Sequence, residues 1–305
     1  MNKQSTAEVF SRPNNRIRLY LDGPSRPFDA RSTAIRGDLA DVAAADRFFA
    51  PHYAEAVPYV CSARSATVHG KPEDGASATT QLLYGEGFHV LDMRAGWAWG
   101  YCVHDHYVGY VRYAALRRDQ GLQPTHRVGA NGGLLFSRAD IKSPVVTPLP
   151  GASLVHGCEE GDFLAVEGGW LHRRHVAPVA DKATDWAEVA RNFLGAAYLW
   201  GGRGDGGFDC SGLVQVALGH CGIAALRDTD QQAGSIGRAL DAREAPAKGD
   251  IIFFPGHVGI LSDARTLLHA NAHWMKVVEE PLADVVARLS PGHAEPITAR
   301  RRIEE

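Results

Sequence analysis

One cysteine and two histidines in the last third of this chain have the types and spacing for nucleophilic catalysis. Cys210 closes the stretch "LWGGRGDGGFDC", in which five glycines and two aspartates precede the thiol. Behind it the pattern turns helical, with Leu213, Val214, Ala217, Leu218 and Cys221 on one face and a stop at Gly222. A thiol at such a junction meets free backbone N–H groups and the positive end of a helix dipole. Both lower its pKa and favour the reactive thiolate. The glycines are expected to let the chain approach the sulfur closely, and the thiol to be exposed at a surface cleft. A core cysteine beside a flexible loop is the bland alternative.

A cysteine nucleophile needs a base, and the base needs a group to orient it. His257 begins the apolar run "HVGIL" and His269 ends "TLLHA", with "SDAR" between them as a hairpin turn. On adjacent strands the two imidazoles then fall opposite or diagonal to each other, as base and orienter.

The elements that must hold these residues form an α+β region over 183–305, helices first and strands after. "WAEVARNFLG" reads as a helix with Thr184 or Asp185 as its N-cap and Gly195 as its end. "GDIIFFPG", "HVGILSD", "RTLLHANA" and "KVVEEP" read as four short strands. Ahead of them, 46–120 carries aromatic-rich β runs broken by glycines ("YVCSARSATVHG", "TTQLLYGEGFHVLDMRAG", "WAWGYCVHDHYVGYVRYAAL"), the pattern of a small antiparallel barrel. A second, weaker copy runs through 121–182 in "SPVVTPLPGASL" and "EEGDFLAVEGGWLHRRHV". Residues 1–45 read as an extended arm with one short helix starting near Asp38.

Composition narrows the function classes. The 305 residues are 45% hydrophobic and 22% charged, an ordinary globular balance with room for two or three domains. A net charge of −3 and scattered basic residues, apart from the "ARRRIEE" tail, argue against nucleic-acid binding. No apolar run reaches the roughly 20 residues of a membrane span or forms a signal-peptide core, so a cytoplasmic protein without membrane partners is expected. Five cysteines, an odd number with no CxxC pair, suggest neither a disulfide framework nor a zinc knuckle. Cys61, Cys102, Cys158 and Cys221 are expected to be structural.

"YLWGGRGDGGFDCSGLVQ", "KGDIIFFPGHVGI" and "LLHANA" together resemble the NlpC-type cysteine peptidases, which cut peptides of bacterial cell-wall peptidoglycan. "LLYGE", "WAWGYC" and "DHYVGYV" resemble bacterial SH3-like domains. The resemblance implies a papain-like catalytic domain preceded by two small all-β SH3-like barrels. It implies Cys210 as nucleophile, His257 as base and His269 as the polar residue holding that base, with the Tyr198 hydroxyl and the Cys210 N–H meeting the oxyanion. No cofactor or metal is implied. The partner is a murein-derived peptide, and the whole arrangement resembles cytoplasmic enzymes that release L-Ala-γ-D-Glu from recycled wall peptides with a free N-terminus.

The neighbours carry two readings each. Asp209 reads locally as a helix cap, Ser211 as a first-turn residue, Trp200 as core, and Asp228 and Thr229 as the opening of another helix. By resemblance all five border the substrate. Tyr107 and Glu86 read as barrel-strand residues, whereas the resemblance assigns them to the pocket end that binds the L-Ala amine, with Glu73 and Asp74 as competitors for the acid. Three rivals stand beside the peptidase: a catalytically inactive wall-fragment binding module, zinc held by Cys210, His257 and His269, and a secreted murein endopeptidase.

Overall fold

The structure, a computed structural model, describes residues 27–241 and 243–304. Most of the expected arm therefore lies outside the described residues. Its helix near Asp38 is not formed: Leu39–Asp41 is a strand paired in parallel with His52–Ala54, and only Val42–Ala44 turns, as a 3-10 helix capped by Asp41. The backbone groups that a helix would use are committed to the neighbouring strand.

The aromatic-rich runs form one seven-stranded antiparallel sheet. Its spatial order is Ala78–Leu83, Ser65–His69, Val108–Arg112, Trp97–Cys102, Gly87–Arg94, Val57–Cys61, Leu116–Arg118. Alternation sends Val68, Leu82, Phe88, Val90, Ala98 and Val111 into a shared core. The weaker copy folds as a five-stranded antiparallel sheet, Val145–Leu149, Gly133–Phe136, Gly169–His172, Phe163–Val166 and Gly157–Glu160. A three-stranded sheet centred on His126–Val128 accompanies it.

In the third region α1 spans Trp186–Arg191, and its N-cap is Asp185, whose carboxylate accepts from the N–H groups of Ala187 and Glu188. Helix α2, Cys210–His220, ends at a Cys221 cap followed by Gly222 in the left-handed region, at φ 74°. Helix α3 is Thr229–Ser235. The four expected strands form as Ile251–Phe254, His257–Leu261, Thr266–Asn271 and Lys276–Pro281. Sequence reading missed helix α4, Leu282–Leu289, and the strand Ala299–Arg302. The basic tail is thus an inner strand of a six-stranded sheet: Ala299–Arg302 pairs with Ile251–Phe254 on one side and Arg238–Ala239 on the other, and Arg302 ion-pairs with buried Asp250 at 2.7 Å.

Helix α2 departs from the one-faced expectation, because every residue from Cys210 to Leu218 is buried. Leu213, Val214, Ala217 and Leu218 share a core with Ile251, Phe253, Val258, Ile260 and Leu268 of the sheet. Each of the larger side chains contributes about 1.5–3 kcal/mol by its burial, and Ala217 less. Elsewhere on α2 Gln215 donates to Asp105 of the first region at 2.8 Å. The helix is enclosed on both sides, so its first residue is held by the sheet and by the first region together. No helix among the described residues is long and apolar enough to cross a membrane.

Candidate active site

Cys210 is the first residue of α2, with Asp209 as the N-cap. Its sulfur faces the backbone of Val258, one residue beyond His257, and lies 3.9 Å from the Thr229 hydroxyl. The thiol is 7% exposed, not open at a surface. Burial, then the neighbouring Asp209 carboxylate, pushes its pKa up rather than down. The glycines also act differently from expectation. A Cβ on Gly202 would meet the Gly207 carbonyl at 2.6 Å, and one on Gly212 the Gly202 carbonyl at 2.2 Å. They let the loop close on itself and on α2; it is backbone, not sulfur, that comes near.

The two histidines stand in the diagonal relation. Strand pairs Ile260↔Leu268 and Leu261↔Leu267, continued in register, set Gly259 opposite His269 and His257 two residues further along. His257 Nε2 and His269 Nδ1 are 2.7 Å apart. Gly259 leaves the room for this: a Cβ there would lie 3.1 Å from the His269 Cβ. Burial and the His269 ring lower the His257 pKa to about 3, and burial lowers that of His269. Both imidazoles are neutral at neutral pH.

Behind them stand residues that sequence reading did not find. His269 Nε2 lies 2.9 Å from Glu280 Oε1, and Glu280 is ion-paired with Arg288 of α4. Burial opposes the charge on Glu280, yet Arg288 and His269 hold its pKa below the ordinary carboxylate value. "KVVEEP" could have signalled it only to a reader who knew that His269 and Glu280 face each other across the hairpin, where His269 pairs with Val278.

The flanking residues divide sharply. Tyr107 is buried and donates to Asp228 Oδ2 at 3.0 Å, which brings the first region against the N-terminus of α3 and beside Thr229. Arg31 shares Asp228 Oδ2 at 2.9 Å and pairs also with Asp29 and Asp230. Tyr198, half-buried, has its pKa pushed up to about 12 by burial and by nearby Cys210, so its hydroxyl keeps the proton it would donate. Trp200 is not core: it is 67% exposed and donates to the Ala78 carbonyl.

Three expected contacts are corrected. Glu86 is no free acid for an amine, because it is buried with Arg203 at 2.6 and 3.0 Å and accepts from the Leu83 N–H. Of its competitors, Asp74 pairs with Arg112 on the surface and Glu73 is exposed. The carboxylate that Tyr107 does meet is Asp228, from the third region. Asp209 spends both oxygens on Gly201 N, Gly212 N and a two-pronged pair with buried Arg227. Ser211 accepts from the same Arg227 at 2.8 Å. Arg227, fully buried and bonded to Thr80 of the first region, is the residue beside Asp228 that sequence reading passed over.

Chemically, the arrangement supplies a thiol at a helix start, a neutral imidazole relay ending in a carboxylate, a protonated phenol, and an acidic rim. Comparison with known proteins agrees with it. Residues 195–287 match the NlpC/P60 family, and residues 68–116 match the bacterial dipeptidyl-peptidase SH3 domain. Dipeptidyl-peptidase 6 of Lysinibacillus sphaericus is 23% identical over 68% of this chain and 86% of its own length. A γ-D-glutamyl-L-lysine dipeptidyl-peptidase of Bacillus cereus is 30% identical over 46% of this chain and 42% of its own length. The bifunctional muramidase/DL-endopeptidase CwlT of Bacillus subtilis is 34% identical over 32% of this chain and 33% of its own length. In fold, the crystal structure of an NlpC/P60 family protein from Bacillus cereus matches with a TM-score of 0.69 at 20% identity, covering 80% of this chain and 99% of that one.

Proposed function

We propose, from the NlpC/P60 domain and the SH3 domain that this chain carries, that it is a cysteine peptidase that hydrolyses the γ-D-Glu–diamino acid bond of free peptidoglycan stem peptides. The observation that carries the reading is the His257–His269 pair beside the α2 thiol. Cys210 gives its proton to His257 and its sulfur bonds to the γ-carbonyl carbon. The Cys210 N–H and the Tyr198 hydroxyl receive the oxyanion, and one such donor is worth about 10²–10³ in rate. The imidazolium of His257 then protonates the departing amine. In the second half His257 takes a proton from water, whose hydroxide displaces the Cys210 thiolate from the acyl-enzyme, and His257 returns the proton to the sulfur.

Asp228, oriented by Tyr107, stands in the place proposed for binding the L-Ala ammonium, with Thr229 beside it. Exposed Trp200 then borders the substrate, while buried Asp209 and Ser211 act from beneath, holding Arg227 and the start of α2 in place. An unblocked N-terminus would add its charge to a carboxylate that already meets Tyr107 and Arg31 on one oxygen, whereas a blocked one brings no charge to it, and a role in recycling free wall peptides in the cytoplasm accords with that preference. Residues 121–182 are taken as a second SH3-like barrel. Against zinc stands the His257–His269 bond, which occupies a lone pair that a metal would need.

The test is product analysis by mass after incubation with L-Ala-γ-D-Glu-meso-diaminopimelate and its N-acetylated copy. The expected result is release of the dipeptide from the free peptide and at least about 30-fold slower cleavage of the blocked one. Comparable rates on both would return the secreted-type endopeptidase to the front. No cleavage of either would favour the inactive binding module.

A further inference from the structure

We infer that Glu280, clamped by Arg288, is a positioning residue that selects the tautomer of the catalytic histidine through His269. The inference rests on the peptidase reading for its kinetic consequence, but its structural consequence stands by itself.

The argument is one of hydrogen-bond bookkeeping along a chain of four groups. An ionised carboxylate only accepts, so the 2.9 Å contact between Glu280 Oε1 and His269 Nε2 places a proton on Nε2. His269 is neutral, since burial lowers its pKa, and so its Nδ1 carries a lone pair. Nδ1 therefore accepts at 2.7 Å, and the donor is His257 Nε2–H. The remaining nitrogen of His257, Nδ1, is left with the lone pair. That nitrogen makes no hydrogen bond to another described residue and is the one free to take the thiol proton. Reverse the first bond and every proton in the chain reverses, leaving His257 Nδ1 already protonated and unable to act as a base.

The neighbouring groups fit this direction. Asn271 Nδ2 lies 3.2 Å from His269 Nε2 but also 3.4 Å from Glu280 Oε1. Against a protonated Nε2 it can donate only to the carboxylate. Its own carbonyl oxygen is held by the His273 N–H, which keeps the amide from flipping. Arg288 contacts both oxygens of Glu280 through its two terminal nitrogens, fixing the plane of the carboxylate. Arg288 lies on α4, whose core residue Val285 packs with Ile252, Leu261 and Leu267 of the sheet. Helix α4 would thereby be tied to the chemistry through two ion-paired side chains.

The experiment compares wild type, Glu280→Gln and Glu280→Asp. A Gln amide can donate to His269 Nε2 and so permits the reversed chain; Asp keeps the acceptor-only character. Nitrogen-15 spectra of histidine-labelled protein are expected to show His257 protonated at Nε2 in wild type and Glu280→Asp, and at Nδ1 in a substantial fraction of Glu280→Gln. On L-Ala-γ-D-Glu-meso-diaminopimelate, Glu280→Gln is expected to lose about 10–100-fold in kcat with KM changed less than about twofold, and Glu280→Asp to recover part of it. A wild-type His257 tautomer in folded Glu280→Gln would overturn the inference. So would a kcat loss that Glu280→Asp shares in full while thermal unfolding shows both variants equally destabilised. If wild type cleaves no stem peptide, the peptidase reading fails, and the spectra alone still decide the role of Glu280.

Discussion

At Cys210 two effects compete, and the structure shows which wins. A helix start stabilises a thiolate by its dipole, a contribution of about 0.3–1 kcal/mol at exposed positions. Burial and the adjacent Asp209 carboxylate act the other way and raise the thiol's pKa. With His257 lowered to about 3, the resting pair is thiol and imidazole, and ionisation awaits proton transfer to His257. Iodoacetamide at pH 7 is therefore expected to label exposed Cys158 before Cys210. Because the folded pKa of Cys210 is raised, its thiolate fraction at pH 7 is smaller than that of a free thiol. Its alkylation rate should keep climbing with pH beyond about 10, where a free thiol has levelled off. Peptide mapping by mass against pH checks this, and a Cys210 rate already flat at pH 7 would reveal a preformed thiolate. Cys210→Ala should leave the fold intact and lower hydrolysis by about 10⁴-fold or more. Cys210 and the two histidines were legible because motif and spacing carry them. Glu280, Arg288 and Arg227 were not, since their partners are distant in sequence and only the hairpin and the packed loop bring them together.

At the scale of elements, the junction of loop and helix is where the sequence's glycines act. Gly207 sits at φ 151° with its α-carbon against the Ala197 carbonyl, a Cβ there falling 2.3 Å from the oxygen. Gly212, inside α2, fits against the Gly202 carbonyl. Gly212→Ala should push α2 away from the loop and destabilise the protein by about 1–3 kcal/mol or more, with activity falling as Cys210 moves. Gly219 lies in the same helix with nothing within 4 Å of a Cβ, so Gly219→Ala should be neutral or stabilising by up to about 1 kcal/mol. Urea unfolding midpoints for the two variants decide the matter; equal shifts would mean helix propensity, not close approach, governs both. The N-cap Asp185, the stop at Gly222 and the four β runs were readable locally, whereas α1 ends at Arg191, short of the expected Gly195. Helix α4 escaped notice because it follows a strand with no intervening turn and opens at Pro281 without a side-chain cap.

Across the whole molecule, the first region is joined to the third by buried polar groups rather than by apolar surface alone. Arg203, in the glycine-rich loop, reaches Glu86 and the Gln81 carbonyl; Arg227 reaches Thr80; Gln215 reaches Asp105. None of these contacts could be read from sequence, because each pairs residues more than a hundred positions apart. They also explain why Glu86 misled: an acid in "LLYGE" suits either a ligand or a buried arginine, and only the fold says which. Removing one partner of a buried pair leaves the other charge uncompensated, whereas replacing both with apolar groups is often neutral. Glu86→Gln should accordingly destabilise the protein by about 3–5 kcal/mol, and the double variant Glu86→Leu with Arg203→Met should recover part of that loss, the Leu83 N–H and the Gln81 carbonyl being left without these partners. The same pair of variants tests what Glu86 does for the substrate. If its carboxylate only joins the regions, the folded double variant should keep the preference for a free over an N-acetylated stem peptide, since Asp228 and Tyr107 remain. If Glu86 bound the amine, that preference would collapse while stability recovered. Measuring the unfolding midpoint and the ratio of kcat/KM on the two peptides in one protein preparation separates these outcomes.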